Sequence, residues 1–142
     1  MIELDDEVKA RLARAIEEGK TLTAAYVDVQ DRPHISFYGS THVHDRDKLA
    51  LWVRDPQGAL ISTLPSRPHI ALIYGDIASR VYYTFAGRGR VDDSAVVRER
   101  VYSEMHPIER QFDPDRKGVA VIVELDKVTT LSKAGKQVQT RD

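Results

Sequence analysis

The sequence predicts a mainly β domain, an antiparallel barrel of six or seven strands with short helices at its periphery. Three observations carry this. Short apolar or β-branched stretches follow one another between turns marked by Pro, Gly and Asp. No helical stretch between them is long enough to support repeated βαβ crossovers. The longest strand-like stretch, Val81 to Val91, carries Gly87 and Gly89, which predict a bulge or a close backbone approach of the kind that closes small barrels.

Each element has a local reason. Asp5 or Asp6 caps a first helix bearing Val8, Leu12 and Ile16 four residues apart, closed by Glu17-Glu18-Gly19. Thr21 to Val29 and Pro33 to Val43 pair as a hairpin about Gln30-Asp31-Arg32, with Pro33 opening its strand, where a missing N–H matters least. In the second arm Ile35, Phe37 and Gly39 share one face; His34, Ser36, Tyr38 and Ser40 share the other, which is expected to face solvent or a ligand. After the turn Asp45 to Lys48, the strand Leu49 to Arg54 sets Leu49, Leu51 and Val53 against Trp52 and Arg54. Asp55 is placed to cap a short helix, with Pro56 at its first position, running to about Leu64 and ended by Pro65-Ser66-Arg67-Pro68. His69 to Tyr74 reads as a buried strand turned by Gly75-Asp76. Asp93 or Ser94 caps a helix with Val97, Val101 and Met105 in one stripe, ending near His106-Pro107. Val119 to Leu125 reads as a central strand, Lys127 to Leu131 as its returning neighbour, and 132–142 as a loose polar tail. The chain is thus one domain over 1–142, with its N-terminal helix inside 1–19.

Composition narrows the function. A net charge of -1 argues against binding nucleic acid or an anionic membrane by overall electrostatics. The absence of cysteine removes thiol catalysis, cysteine-ligated zinc and disulfides. The acidic start lacks an apolar signal core, and no apolar run approaches the roughly 20 residues of a membrane span, so a cytoplasmic protein is expected. The corner where the strand ending at Arg54 meets a helix start is a candidate anion site, since free N–H groups and a guanidinium both favour phosphate or carboxylate. Arg54 beside Asp55 reads equally as a surface ion pair. Trp52, the single tryptophan, reads first as a core residue. Ser36 lacks an acid–base partner and reads as a hydrogen-bonding serine. His42 and His44 read as loop histidines near Asp45 and Asp47 rather than a metal pair, and Arg80, Arg88 and Arg90 as a solvated basic strip.

In order and spacing, Thr21 to Ser36, Leu49 to Arg54, Ser66 to Tyr74, Phe85 to Val91 and Asp113 to Val123 resemble the pyridoxamine 5'-phosphate oxidase-like family of FMN-binding split barrels, over nearly the whole chain. The resemblance implies a homodimer with two flavin sites at the subunit interface. It places the ring along Ser36 and Tyr38 and the phosphate at Trp52, Val53, Arg54, Gly58 and Ala59, with Tyr82 and its strand contributed by the second subunit. Many members carry Ser-Arg-Lys at the helix start where this chain has Gly58-Ala59-Leu60. Arg54 and bare N–H groups are left to take over that role. The implied function is a flavin-dependent oxidoreductase acting on a small organic substrate, with FMN as cofactor or, alternatively, the deazaflavin coenzyme F-420. The same barrel as a non-catalytic flavin- or haem-type ligand carrier is the alternative class.

Overall fold

The computed structural model describes residues 1–141. Helix α1 (Asp6–Arg14) is capped by the Asp5 carboxylate, which accepts the Val8 N–H, and it buries Val8 and Leu12. Strands β1 (Thr23–Val27), β2 (Pro33–Phe37), β3 (His42–Asp45) and β4 (Lys48–Val53) follow, then helix α2 (Ala59–Thr63) and strands β5 (His69–Asp76) and β6 (Val81–Asp92). Helices α3 (Ala95–Glu104) and α4 (Pro107–Arg110) lead to β7 (Val119–Ser132) and β8 (Gly135–Thr140). All eight strands lie in one antiparallel sheet in the order β2-β1-β5-β6-β7-β4-β3, with β8 paired to β7; β2 and β3 remain as edges, so the barrel is split rather than closed.

Two hydrophobic clusters flank this sheet. The larger joins Val8 and Leu12 of α1 to Leu22, Leu49, Leu51, Leu72, Tyr74, Phe85, Val123 and Leu125 inside the coil. The smaller lies on the other side of β4 and β7, where α3 lays Val101, Tyr102 and Met105 over Ala50, Trp52, Ala120 and Ile122. Burial on both faces is why the β4 and β7 sequences read as apolar runs. Ser94 caps α3 by accepting the Val97 N–H, as its sequence predicts. Among the described residues no helix is long and apolar enough to cross a membrane.

Several expectations are corrected. The strand expected over Pro33 to Val43 is two strands on opposite edges of the sheet, separated by a turn in which the Thr41 N–H and hydroxyl both donate to the Tyr38 carbonyl. The apolar face of β2 points outward, leaving Ile35 76% and Phe37 74% exposed, because the inward positions opposite β1 are taken by His34 and Ser36. Asp55 does not cap α2. Its carboxylate accepts the Gln57 N–H and its carbonyl the Gly58 N–H, closing a separate turn, and α2 starts at Gly58 without a side-chain cap. Strand β5 runs through Gly75 and Asp76 before turning. The segment 127–131 continues β7 instead of returning beside it, and the returning strand is β8, within what reads as a loose tail. The Met1 ammonium donates to the Thr140 carbonyl, so the chain ends are tied to each other.

The bulge expected from the glycines is present: the β6–β7 register shifts between Ala86 and Gly87. A Cβ on Gly87 would lie 2.2 Å from the Glu124 carbonyl oxygen, a backbone atom fixed in the neighbouring strand. Gly87→Ala is therefore expected to destabilise the fold by about 1–3 kcal/mol or more, read as a lowered urea midpoint; an unchanged midpoint would show that β7 yields freely there. A second expectation concerns acid. Asp76 is buried; burial works to raise its carboxyl, but hydrogen bonds from Ser79 and Arg11 and the charge of Lys20 hold it down at about 2, from an ordinary 3.8. Its contribution is complete above the unfolded value and is lost as pH falls through the folded one, so stability should drop between about pH 4 and 2. Asp76→Asn should flatten that part of the denaturation-versus-pH curve.

Candidate functional site

A cleft lies between the chain leaving β2 and the end of β4. Its floor is set by one side chain. In the β3–β4 register His42 faces Ala50, so Ser40 falls opposite Trp52, and there the serine hydroxyl replaces the missing backbone ladder. Ser40 Oγ accepts the Trp52 N–H at 2.8 Å and donates to the Trp52 carbonyl at 3.0 Å, both buried. This ties the chain leaving β2 to the end of β4. The resulting cleft, about 680 Å³, is walled by Ser36 to Ser40 on one side and Trp52 to Asp55 on the other, with Ile16, Gly19, Thr21 and Glu109 completing it.

The charges in the cleft are sparse. Arg54 is exposed at the end of β4, and its guanidinium lies 5.2 Å from the centre of the Phe112 ring; no described residue forms an ion pair with it. The Arg54–Asp55 surface pair therefore does not form. Asp55 and Glu109 bring two carboxylates to the same cleft. Burial raises the Tyr38 phenol, which is half-buried against the larger cluster and stays neutral and donor-capable at ordinary pH.

Of the residues singled out by sequence, Ser36, Tyr38, Trp52, Val53 and Arg54 line this one cleft, whereas Gly58 and Ala59 lie past Asp55, off its wall. Tyr82 is half-buried on β6 opposite Gly75 and Leu131, away from the cleft of its own chain. Trp52 reaches the cleft only at its edge. Its indole packs in the smaller cluster, edge-on to Tyr102 and under the Arg98 guanidinium, and its Nε1 donates at 2.8 Å to buried Asp113. Glu109 had no sequence signal, since only the docking of α4 brings it to the cleft. Ser40 shares strand parity with Ser36 and Tyr38, and that parity is a usable signal.

The histidine reading is corrected and the arginine reading refined. His42 and His44 are buried, not loop-exposed; His42 Nδ1 pairs with the Ser40 carbonyl, and burial lowers both imidazoles. No group of three or more His, Asp or Glu among the described residues is arranged to hold a metal. Arg88 is engaged by Asp126 and Glu124, and Arg90 by Asp92, in pairs that stay partly exposed, while Arg80 forms no ion pair among the described residues; the strip is solvated but partly paired. A second groove of about 830 Å³, lined mainly by Ala25, Val27, Ile70, Ala71 and Ala86 with His69 and Asp126 among its polar groups, opens near the β6–β7 bulge.

No protein-family model and no curated protein matches the sequence. Solved structures do. HupZ of Group A Streptococcus superposes with a TM-score of 0.73 at 15% identity, over 94% of this chain and 98% of that one. A pyridoxamine 5'-phosphate oxidase-related, FMN-binding protein of Nostoc punctiforme gives 0.73 at 17% identity, over 94% and 87%. The chain has the pyridoxamine 5'-phosphate oxidase-like split-barrel fold. A heme-binding protein of Mycobacterium smegmatis shares this split barrel at a TM-score of 0.67 and 13% identity, over 99% of this chain and 60% of that one.

The floor of the cleft yields a test of its own. Asp113 accepts from Trp52 Nε1 and from the Gly118 and Lys117 N–H groups; burial works to raise its carboxyl, and these bonds outweigh it. Trp52→Phe removes one donor and should cost about 1–3 kcal/mol in thermal or urea unfolding. Asp113→Asn in the Trp52→Phe background should cost less than in the wild type, because the two changes share one bond.

Proposed function

We propose that this chain is a homodimeric flavoprotein that binds FMN in the cleft between the ends of β2 and β4 and uses it to oxidise or reduce a small organic substrate. The observation that carries this reading is the pairing of the wall from Ser36 to Tyr38 with the guanidinium of Arg54, which stacks over Phe112 without an ion-pair partner among the described residues, in a space of about 680 Å³. The volume lies within the range of small-molecule sites. FMN-binding by a structural neighbour points the same way.

The fit to FMN is adequate at the phosphate and supported along the wall. Arg54 would hold the phosphate through charge-assisted hydrogen bonds, with Phe112 supporting the guanidinium from below. Tyr38 offers a neutral phenol, and Ile16 and Val53 exclude water from one side. A bound flavin supplies the electron-transfer chemistry, so the protein needs no acid–base pair of its own. A deazaflavin is the alternative ring for the same wall.

A second copy completes the site. The outward face of β1, β2 and β5 exposes Ile35, Phe37, Val27 and Ile73, and Leu131 and Val138 extend it along β7 and β8. Phe37 belongs both to this face and to the cleft. A partner laid on the face would therefore cover the open side of the cleft and bring its own Tyr82 strand near. The partner is taken to be another copy because exposed apolar sheet surface on this scale marks an association face and is continuous with the cleft.

The competing reading, a non-catalytic ligand carrier, is favoured by the two carboxylates set against a single arginine in the cleft, and by the apolar groove beside His69. A heme-binding structural neighbour gives this reading its ligand class. The two readings separate by spectrum. Titration with FMN should quench flavin fluorescence and leave the band on the dimer peak, whereas a Soret shift with haemin and no flavin quenching would favour the carrier. Arg54→Ala should weaken FMN binding by about 1.5–3 kcal/mol. Phe37→Asp should convert the dimer to monomer in light scattering and lower flavin affinity with it; a Phe37→Asp dimer would move the interface elsewhere.

A further inference from the structure

One carboxylate is out of keeping with the rest of the molecule. Among the described residues, every other buried or half-buried Asp or Glu accepts a hydrogen bond or an ion pair, Asp47, Asp76 and Asp113 among them. Glu109 is half-buried on the cleft wall and has neither. An ionised carboxylate offers acceptor sites only, so Glu109 presents acceptors to whatever donors enter the cleft.

Glu109 packs beside Gly39. A Cβ on Gly39 would lie 3.0 Å from Glu109 Oε2 and 2.8 Å from Ile16 Cδ1, so the glycine at the end of the β2 wall leaves the space in which the carboxylate rests. The segment that carries it is short and turned back on itself: the Phe112 N–H donates to the Glu109 carbonyl, and the Phe112 ring in turn lies against Arg54. The same stretch after α3, from His106 to Phe112, thus presents an acceptor to the cleft and supports the cation at its mouth.

We infer that Glu109 is a specificity-determining residue, accepting hydrogen bonds from hydroxyl groups of the ligand, so that the cleft selects a polyhydroxylated chain that ends in an anion at Arg54. The inference rests on the flavin reading, and it assigns Glu109 to the hydroxylated linker between ring and phosphate. A carboxylate there rejects a ligand with a second anionic group at that point and rewards one with donors. Water alone can also satisfy Glu109, and that is the outcome the test must separate.

The probes are FMN, riboflavin, which keeps the hydroxylated chain without the phosphate, and lumiflavin, which keeps only the ring; the readout is fluorescence quenching by the purified protein. Glu109→Ala is expected to weaken FMN and riboflavin about tenfold and leave lumiflavin unchanged. Glu109→Gln, which retains an acceptor oxygen, is expected to recover part of the loss. Equal affinity of wild type and Glu109→Ala for all three ligands, an equal loss for all three, or tighter FMN binding by the variant overturns the assignment. A wild-type protein that quenches none of the three overturns the flavin reading itself, and this shows before any variant is made. A circular dichroism melt of each variant checks that the fold is intact.

Discussion

The structure depends on the β6–β7 ladder and on the one place where it is broken. β7 is hydrogen-bonded to β6, β4 and β8, so it is the strand through which both halves of the split barrel are connected. The register shift at Gly87 lets β7 pair with β6 along its whole length while bending, and the close approach of the Glu124 carbonyl makes glycine the residue required there. Before the irregularity, β7 runs from Val119 to Glu124 alongside β4, whose last residue, Val53, leads into Arg54 at the cleft.

Within this frame the cleft is made by small substitutions of side chain for backbone. Ser40 continues the β3–β4 ladder with its hydroxyl after the chain has turned away, which ties the wall from Tyr38 to Ser40 to the end of β4. Asp113 closes the opposite side by gathering the Trp52 indole and two loop N–H groups on one carboxylate, fixing the loop after α4. Both devices are buried and hydrogen-bonded on every side, the condition under which a polar group adds definition instead of cost. The proposed ligand contacts then fall to side chains in the cleft that are not so engaged: Arg54, Tyr38 and Glu109.

The same logic separates the two histidines from the site. His42 and His44 share a strand face as their spacing requires, but α1 and α3 cover that face and burial keeps the imidazoles neutral. Shared face is a property of the strand; what lies across from it is a property of the packing. Arg88 and Arg90 teach the same point, since their charges are spent on acids of β6 and β7.

The sequence by itself determined the antiparallel β class, the capped α1 and α3 and the bulge at Gly87, because each follows from local period, capping chemistry or glycine geometry; the convergence of Ser36, Tyr38 and Arg54 was implied only by the resemblance of its ordered motifs to a known family. It did not determine that Pro33 to Val43 breaks between two edges, that β7 runs unbroken to Ser132, or that β8 returns from the polar tail, because a strand's length and partner depend on which neighbour offers free N–H and C=O groups. Nor did it show that Ile35 and Phe37 face outward: period two fixes which residues share a face, and only the sheet's other contacts decide which face is buried. Glu109 is the extreme case. It lies some seventy residues from Gly39 in the chain, and only the docking of α4 beside the end of β2 makes it part of the site.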